Sequence, residues 1–265
     1  HGERQNYGTF KIMGWQQTVT TLDQVLPAIQ SLLKYLAAHP ETAKAIALKL
    51  GRRFVEDVPS QQFISDIAAS YTSSGGDIKT VLKAVYQHPD FKNAGGKKLK
   101  RPGEDYVSVA RTLNVFPNFT RTQKWKGMTK EFAYPAVVPD ELRRMGHAPL
   151  SWPFPDGYPD VASNWVNANY QVLRWNAYGH FIQGNTWNQP SLDWLLPVRE
   201  TNVDRQIDQV AQVLLFKELG SADRTLVRNA ITKAYGLNPD MNTYYRDVTS
   251  LIARLIFQLP VWSLR

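Results

Sequence analysis

The stretch "LDQVLPAIQSLLKYLAAHPETAKAIALKLGRRFVED", from Leu22 to Asp57, indicates a helical chain. Its first part repeats apolar residues three and four positions apart, the spacing of one face of an α-helix. The pair His39-Pro40 ends this run, because proline disfavours helical geometry in the residue before it. Pro40 then suits the start of a second helix, whose apolar stripe contains Ala43, Ile46, Ala47, Leu50 and Phe54. The stretch therefore predicts two consecutive helices.

The same helical spacing recurs along most of the chain. Further apolar stripes begin at Phe63, Ile78, Val203, Leu226 and Tyr244, and Glu104 to Val115 also has a helical pattern. No run alternates apolar and polar residues for long enough to predict a sheet, and 116–134 has the weak periodicity of an irregular surface. We expect a mainly α, multi-helix globular domain with a long Pro/Trp-rich irregular loop region. It would be a single helical domain over 1–265, with a long irregular insertion at 116–160.

Composition bounds the class of protein. With 265 residues, 43% of them hydrophobic, the chain can bury a sizeable core. No apolar run approaches the roughly 18 residues of a membrane span. The chain has no cysteine, which excludes disulfides, thiolate zinc sites and thiol nucleophiles. Because it begins at His1 without Met, we expect it to be the C-terminal part of a longer precursor.

The chain is basic, with a formal net charge of +8. Such a charge favours anionic partners, but it equally suits a solvated basic surface. The densest basic patches, at 96–101 and 121–130, carry no pattern of a known nucleic-acid-binding motif. Nucleic acid is therefore an unlikely partner.

The stretch "HAPLSWPFPDGYPDVASNW", His147 to Trp165, is rich in proline and aromatic residues. Prolines fix its backbone, and the rings of Trp152, Tyr158 and Trp165 offer flat faces that suit sugar rings. The same rings would equally serve as a plug packed on the helices. Asparagines interleave with the aromatic residues that follow, as in sites for neutral polar ligands. The pattern leaves both interpretations open.

A second candidate binding surface lies on the second predicted helix. Lys49 and Arg52 fall on one flank of it and would hold a carboxylate, sulfate or phosphate. Arg53 and Glu56 share this flank, and an i,i+3 or i,i+4 ion pair there would make it an ordinary salt-bridged surface.

Candidates for catalysis are few. The five histidines show no metal-binding spacing, there is no Gly-x-Ser-x-Gly elbow, and we predict neither a metal nor a cofactor. His1 at a true N-terminus would chelate copper only with a second histidine. Among acid and base candidates we consider Glu104 and Asp156, with His1 or His147 assisting.

Six segments together resemble a known family. In order, they are "HGERQNYGTFKIMG", "HPETAKAIALKLGRRFVED", "GGDIKTVLKAVYQHPDF", "KLKRPGEDYVSVARTL", "LRRMGHAPLSWPFPDGYPDVASNWVNANYQVLRW" and "LIFQLPVWSLR". They occur in the order found in the bacterial domain of unknown function 1800 family. The resemblance covers nearly the whole chain, but only the C-terminal half of a typical member.

The resemblance implies a helical, exported bacterial protein, secreted or periplasmic, often encoded beside a sulfatase-like partner. It implies no established activity. The polar signature of the family falls on His1, Lys49, Arg52, Lys100, Glu104, Gly157, Trp165 and Arg174. Two positions depart from it: Gly2 stands where members usually have Asp, and His147 stands where they have Gln.

These observations lead to three hypotheses. The first is binding of an anionic or sulfated extracellular polysaccharide in an aromatic and basic cleft. Rings would stack on Trp152, Tyr158 and Trp165, and acidic groups would meet Lys49, Arg52, Lys100 and Arg174. The second is hydrolysis of ester or glycosidic bonds by the carboxylates and histidines named above. The third is a structural role in an envelope or extracellular assembly.

Overall fold

Helices make up most of the described structure, and several of them begin at a capping side chain or at a proline. The computed structural model describes residues 7–114, 121–125, 128–132, 137–183, 196 and 198–265. The helices are α1 (Val25–Ala38), α2 (Pro40–Phe54), α3 (Gln61–Ser73), α4 (Ile78–Gln87), α5 (Pro89–Lys92), α6 (Pro102–Thr112), α7 (Val137–Arg144), α8 (Ala168–Gln183), α9 (Val203–Leu215), α10 (Ser221–Tyr235), α11 (Met241–Gln258) and α12 (Pro260–Ser263). The prediction of a mainly α fold is confirmed. Among the described helices, none is long and apolar enough to span a bilayer.

The chain divides into two compact units, 1–95 and 96–265. That they form a single domain stays a prediction. In the first unit, α2, α3 and α4 enclose a small core around Ala47, Phe63 and Val81, none of which is exposed. Helix starts are capped by side chains: Ser60 accepts from the Phe63 amide and Asp77 from the Thr80 amide.

The two His-Pro pairs of the first unit are helix starts. The His39 side chain accepts a hydrogen bond from the amide of Glu41 at the start of α2. The His88 ring does the same for the amide of Asp90 at the start of α5. Each histidine thus replaces the usual Ser or Asp cap, while the proline that follows takes the first helical position.

The structure contains two antiparallel hairpins that the sequence did not predict. The first pairs β1 (Gly8–Ile12) with β2 (Trp15–Val19) in antiparallel register, Thr9 opposite Thr18. It contacts α1 through Trp15 Nε1, which donates to Ser31 Oγ at 3.1 Å. Its residues are mostly exposed on both faces, so the alternation that marks a half-buried strand is missing.

The second hairpin lies in the range expected to be an irregular insertion, 116–160. It pairs β3 (Arg121–Trp125) with β4 (Met128–Phe132), and α7 follows. The irregular interpretation of 116–134 is therefore wrong for the strands. Beyond α7, residues 147–161 contain turns and no helix or strand.

In the second unit, α6, α8, α9 and α11 pack around one apolar core. Tyr106, Phe181, Ile207 and Phe257 belong to it, and each is at most 2% exposed. The segment 96–100 runs beside 263–265: the Lys100 amide donates to the Ser263 carbonyl at 2.7 Å, and the Arg265 amide donates to the Lys98 carbonyl at 2.8 Å. This pairing sets α6, which begins at Pro102, next to the end of α12.

Candidate ligand-binding site

The Pro/Trp-rich loop, 147–165, is fixed by hydrogen bonds within itself. The Tyr158 hydroxyl donates to the Ala148 carbonyl at 2.7 Å, and Trp165 Nε1 donates to the Pro159 carbonyl at 2.9 Å. Trp152 Nε1 donates to Asp156 Oδ1 at 2.8 Å. These bonds satisfy the polar edges of the rings and leave their faces to pack or to bind.

The rings of this loop grade from buried to exposed. The His147 ring lies 4.7 Å from Tyr158 and 5.1 Å from Trp165, measured between centroids, and Trp152 lies 5.0 Å from Tyr158. Trp165 is buried, Trp152 and Tyr158 are half-buried, and Phe154 is 62% exposed. The loop therefore combines a packed ring with rings that reach the surface. Trp165 is buried and supports Trp152 and Tyr158, which are partly exposed.

An open groove of about 700 Å³ lies between this loop and α6. We call it the His147 groove. It is lined by Gly103, Glu104, Val107, Ser108, Arg111, Thr112, Leu142, His147, Pro149, Leu150 and Tyr158. The sequence candidates Glu104, His147 and Tyr158 are thus brought together in one concavity. Arg111 and Ser108, which we did not single out from the sequence, add an exposed cation and a hydroxyl.

The position of His147 depends on a glycine in the first turn of α6. The Gly103 amide donates to His147 Nδ1 at 2.9 Å. A neutral ring would then carry its proton on Nε2. A Cβ on residue 103 would lie 2.7 Å from Nδ1, so any larger residue would displace the ring. The glycine of "PGED", residues 102–105, is the feature of the sequence that points to this contact. Glycine is a poor helix former, so its presence in a helical turn suggests that something packs closely against it.

Glu104 combines a structural position with access to the groove. Its carboxylate accepts from the Arg101 amide at 3.1 Å, as the glutamate of a capping box does, and from Arg101 Nη2 at 2.9 Å. Arg265 Nη1 donates to the same carboxylate at 3.4 Å. Its side chain remains 19% exposed. Asp156 lies outside the lining of the groove, where it holds the Trp152 indole.

Arg174 does not reach the surface, because it belongs to a buried polar cluster centred on Asp105. The Asp105 side chain is fully buried and accepts from Arg174 Nη1 at 3.3 Å, from Trp262 Nε1 at 2.7 Å and from the Tyr178 hydroxyl. Arg174 is 2% exposed. The cluster joins α6, α8 and α12 in the core, so Arg174 cannot meet a bulky polymer in this conformation.

Lys100 faces the same cluster. Its Nζ donates to the Trp262 carbonyl at 2.7 Å and lies 3.7 Å from the centroid of a Trp262 ring. Burial lowers the pKa of its ammonium group, and the charge of Asp105 opposes that shift. Lys100 therefore stabilises the end of the second unit rather than extending into solvent.

The remaining candidates lie elsewhere. Lys49 and Arg52 are exposed on α2, in the first unit. His1 lies outside the described residues. Among the residues that the structure describes, no three His, Asp or Glu side chains come together as metal ligands would.

We predict that Asp105 makes stability depend on pH. Burial raises the pKa of its carboxyl above the ordinary value, against the hydrogen bond from Tyr178 and the charges of Arg174 and Lys100. Since the folded pKa exceeds the unfolded one, of about 3.9, ionisation costs stability as pH rises from that value through the folded pKa. The free energy of unfolding of the native protein, minus that of Asp105→Asn, should fall over this window. Urea denaturation at a series of pH values measures it, and a difference that grows with pH would contradict the prediction.

Comparison with known proteins identifies the family of this chain and assigns it no activity. A family model described as "Protein of unknown function (DUF1800)" matches residues 4–264. No curated protein and no solved structure matches the chain. The expectation that the chain corresponds to the C-terminal half of a member is not borne out by this match. The signature positions Lys100, Glu104, Trp165 and Arg174 all lie in or beside the polar contacts described above. The chain belongs to the family of proteins of unknown function DUF1800.

Proposed function

We propose that the His147 groove binds a sugar polymer that carries carboxylate or sulfate groups. One observation supports the proposal: half-buried aromatic rings and an exposed cation lie at the same groove. Tyr158 lines the groove, Trp152 packs beside Tyr158, and the exposed Arg111 also lines the groove. Sugar rings present apolar C–H faces that stack on aromatic side chains. A guanidinium binds a carboxylate or sulfate through two parallel hydrogen bonds.

The apolar part of the groove suits the same ligand class. Val107, Leu142, Pro149 and Leu150 contribute much of its lining. Such walls exclude water around a bound ring, and a few convergent polar groups then fix its orientation. Ser108, Thr112 and His147 contribute polar groups to this lining.

This proposal keeps part of the residue set expected from the sequence. Trp152 and Tyr158 remain stacking residues, and Trp165 becomes their support. Arg111 takes the role expected of Lys100 and Arg174, since both of those face the buried Asp105 cluster. Lys49 and Arg52 would form a separate surface on the first unit.

Cell location and partner follow from the family resemblance alone, and both remain proposals. An exported protein would meet such a polymer outside the cytoplasm. Fractionation of the native host would check this location, and co-purification would test for a sulfatase-like partner.

Calorimetric titration with neutral, uronate-bearing and sulfated polysaccharides tests whether the His147 groove binds acidic sugars. We expect Trp152→Ala to weaken binding by about tenfold, which corresponds to about 1.4 kcal/mol. Arg111→Gln should remove most of the salt sensitivity of binding to the acidic polymers, because it removes the groove's exposed cation.

Two matched variants serve as controls. Trp175→Ala removes a 38% exposed indole of the same unit outside the groove, and Arg143→Gln removes an exposed arginine of α7. Both should bind like the native protein. Equal weakening by Trp152→Ala and Trp175→Ala, or binding of neutral and acidic polymers alike, would show that the groove is not an acidic-sugar site.

One observation favours hydrolysis as a second candidate function: Glu104 and His147 line the same groove. Loss of a general acid or base typically costs about 10²–10⁴ in rate. Glu104→Gln is the sharp test, because glutamine also fits the capping box and should preserve the start of α6. Release of new reducing ends by the native protein, and its loss in Glu104→Gln, would support catalysis. Binding without products would leave a binding protein.

A further inference from the structure

The first unit exposes an apolar stripe that its own core does not use. Leu22, Leu26, Ile29 and Leu33 are 61%, 63%, 48% and 60% exposed. From sequence, these residues share the face of the first predicted helix that is expected to pack inward; in the structure, Leu22 lies in the 3₁₀ turn Leu22–Gln24 directly before α1. In the structure, Ala28 is the buried residue of α1. We call these four residues the α1 stripe.

The hairpin does not cover the α1 stripe, because it packs on the opposite side of the helix. Trp15 Nε1 donates to Ser31 Oγ, and the Tyr35 hydroxyl donates to the Met13 carbonyl at 2.5 Å. At about 100° per residue, Ser31 and Tyr35 lie roughly half a turn away from Ile29 and Leu33. The stripe is therefore a separate surface of the first unit.

The spacing of the stripe suits pairing with another helix of the same kind. Its residues follow one another at intervals of four, three and four, as in the repeating seam of paired helices. The positions beside the seam are Val25, Gln30 and Leu32, which carry no charge, and Asp23, which carries one. A second copy would therefore bring two aspartates to the interface and no lysine or arginine from 22–33.

Charge supports a second copy as the occupant. The protein has a formal net charge of +8, so two copies repel each other over most directions of approach. Between Ile12 and Leu33, however, the sole charged residue is Asp23. Two copies that meet along α1 would therefore bring no lysine or arginine of this range together.

The size of the stripe fits a weak dimer. Four aliphatic side chains that are about half exposed present on the order of 400 Å², within the range of functional apolar patches. This is smaller than the roughly 600 Å² per partner of a small, transient interface, so the expected dimer is weak. We propose that two copies of this chain associate through the α1 stripe to form a weak, two-fold symmetric dimer.

Sedimentation velocity at increasing concentration tests the proposal on the full chain. The native protein should shift from monomer to dimer, and Leu26→Glu with Leu33→Glu should weaken association at least 100-fold by placing like charges in the seam. Val58→Glu and Ile78→Glu are the matched controls, since both change exposed apolar residues of the same unit. They should dimerise like the native protein. Circular dichroism checks that all four proteins remain folded.

Cross-linking gives an independent readout, because the chain has no cysteine of its own. On mild oxidation, Leu26→Cys should form a disulfide-linked dimer and Val58→Cys should not. A native protein that stays monomeric at high concentration, or a dimer that the charged variant leaves intact, would overturn the proposal. So would protection of the Leu26→Cys thiol in the monomer, which would assign the stripe to another part of the same chain. Binding of the monomer to phosphatidylglycerol vesicles, abolished by the charged variant, would assign the stripe to a lipid surface instead.

Discussion

Replacing Arg174 with methionine is expected to lower the free energy of unfolding by about 3–5 kcal/mol, the usual cost of breaking a buried ion pair. Methionine has a similar length, so the variant removes the charge without a large cavity. Asp105, whose side chain is fully buried, would then lose the guanidinium that balances its charge, and it would have to stay ionised without that partner or take up a proton. Urea denaturation followed by circular dichroism measures the loss.

A second substitution separates the charge effect from packing. Asp105→Asn in the Arg174→Met background should recover a substantial part of the loss, since no uncompensated charge remains. Arg143→Met is the exposed control: its pair with Asp140 is more than half solvent-accessible and should contribute at most about 1 kcal/mol. Equal losses at Arg174 and Arg143 would show that the buried pair does not stabilise the core.

Gly51→Ala should destabilise the first unit by about 1–3 kcal/mol, the range of overpacked cores. At an exposed helix position the same change would stabilise by roughly 1 kcal/mol, because alanine is the better helix former. Gly51 lies in α2 against the α2–α3 connection. A Cβ there would be 2.5 Å from Pro59 Cγ and 2.9 Å from Phe63 Cε1. Thermal denaturation of the variant measures the effect.

Removing part of the obstacle should reduce this effect. Pro59→Ala combined with Gly51→Ala takes away Pro59 Cγ, the nearest atom to the new methyl group, while the Cβ of residue 59 and Phe63 Cε1 remain close to it. The double variant should therefore be more stable than the sum of the two single changes predicts. Gly95→Ala, where a new Cβ meets nothing within 4 Å, is the control. If Gly51→Ala raised the denaturation temperature, the close packing of α2 on Pro59 would be refuted.

The helices of the first unit were predictable because the local signals agree. Apolar spacing, the His-Pro pairs and the Asp77 cap all indicate the same boundaries, and α2 to α4 follow them. The first hairpin was not predictable by the same means. Its turn places Met13 at φ 47° and Gly14 at φ 93°, a geometry usually signalled by Asn-Gly, and methionine hides the signal.

In the second unit, α8 was missed for a different reason. Its buried residues include a charged one, Arg174, and the hydroxyl-bearing Tyr178, so hydropathy alone shows no single apolar stripe.

The aromatic loop was recognised from composition. Which of its rings are buried and which reach the surface depends on distances that the sequence does not contain. Glu104, His147 and Tyr158 were chosen separately as acid, base or stacking residues. Their meeting in one groove depends on the Gly103–His147 contact across 44 positions.

The pairing of 96–100 with 263–265 bears on the order in which the protein folds. The Trp262 indole donates to Asp105 across 157 positions of sequence, and the Lys100 ammonium reaches the Trp262 carbonyl across 162. During synthesis, the helices of the first unit can close on one another through short-range contacts as they emerge. Asp105 can meet Arg174 and Tyr178 earlier, but its third partner, Trp262, follows only after the intervening chain has been synthesised. The polar cluster of the second unit therefore remains incomplete until residue 262 has been added.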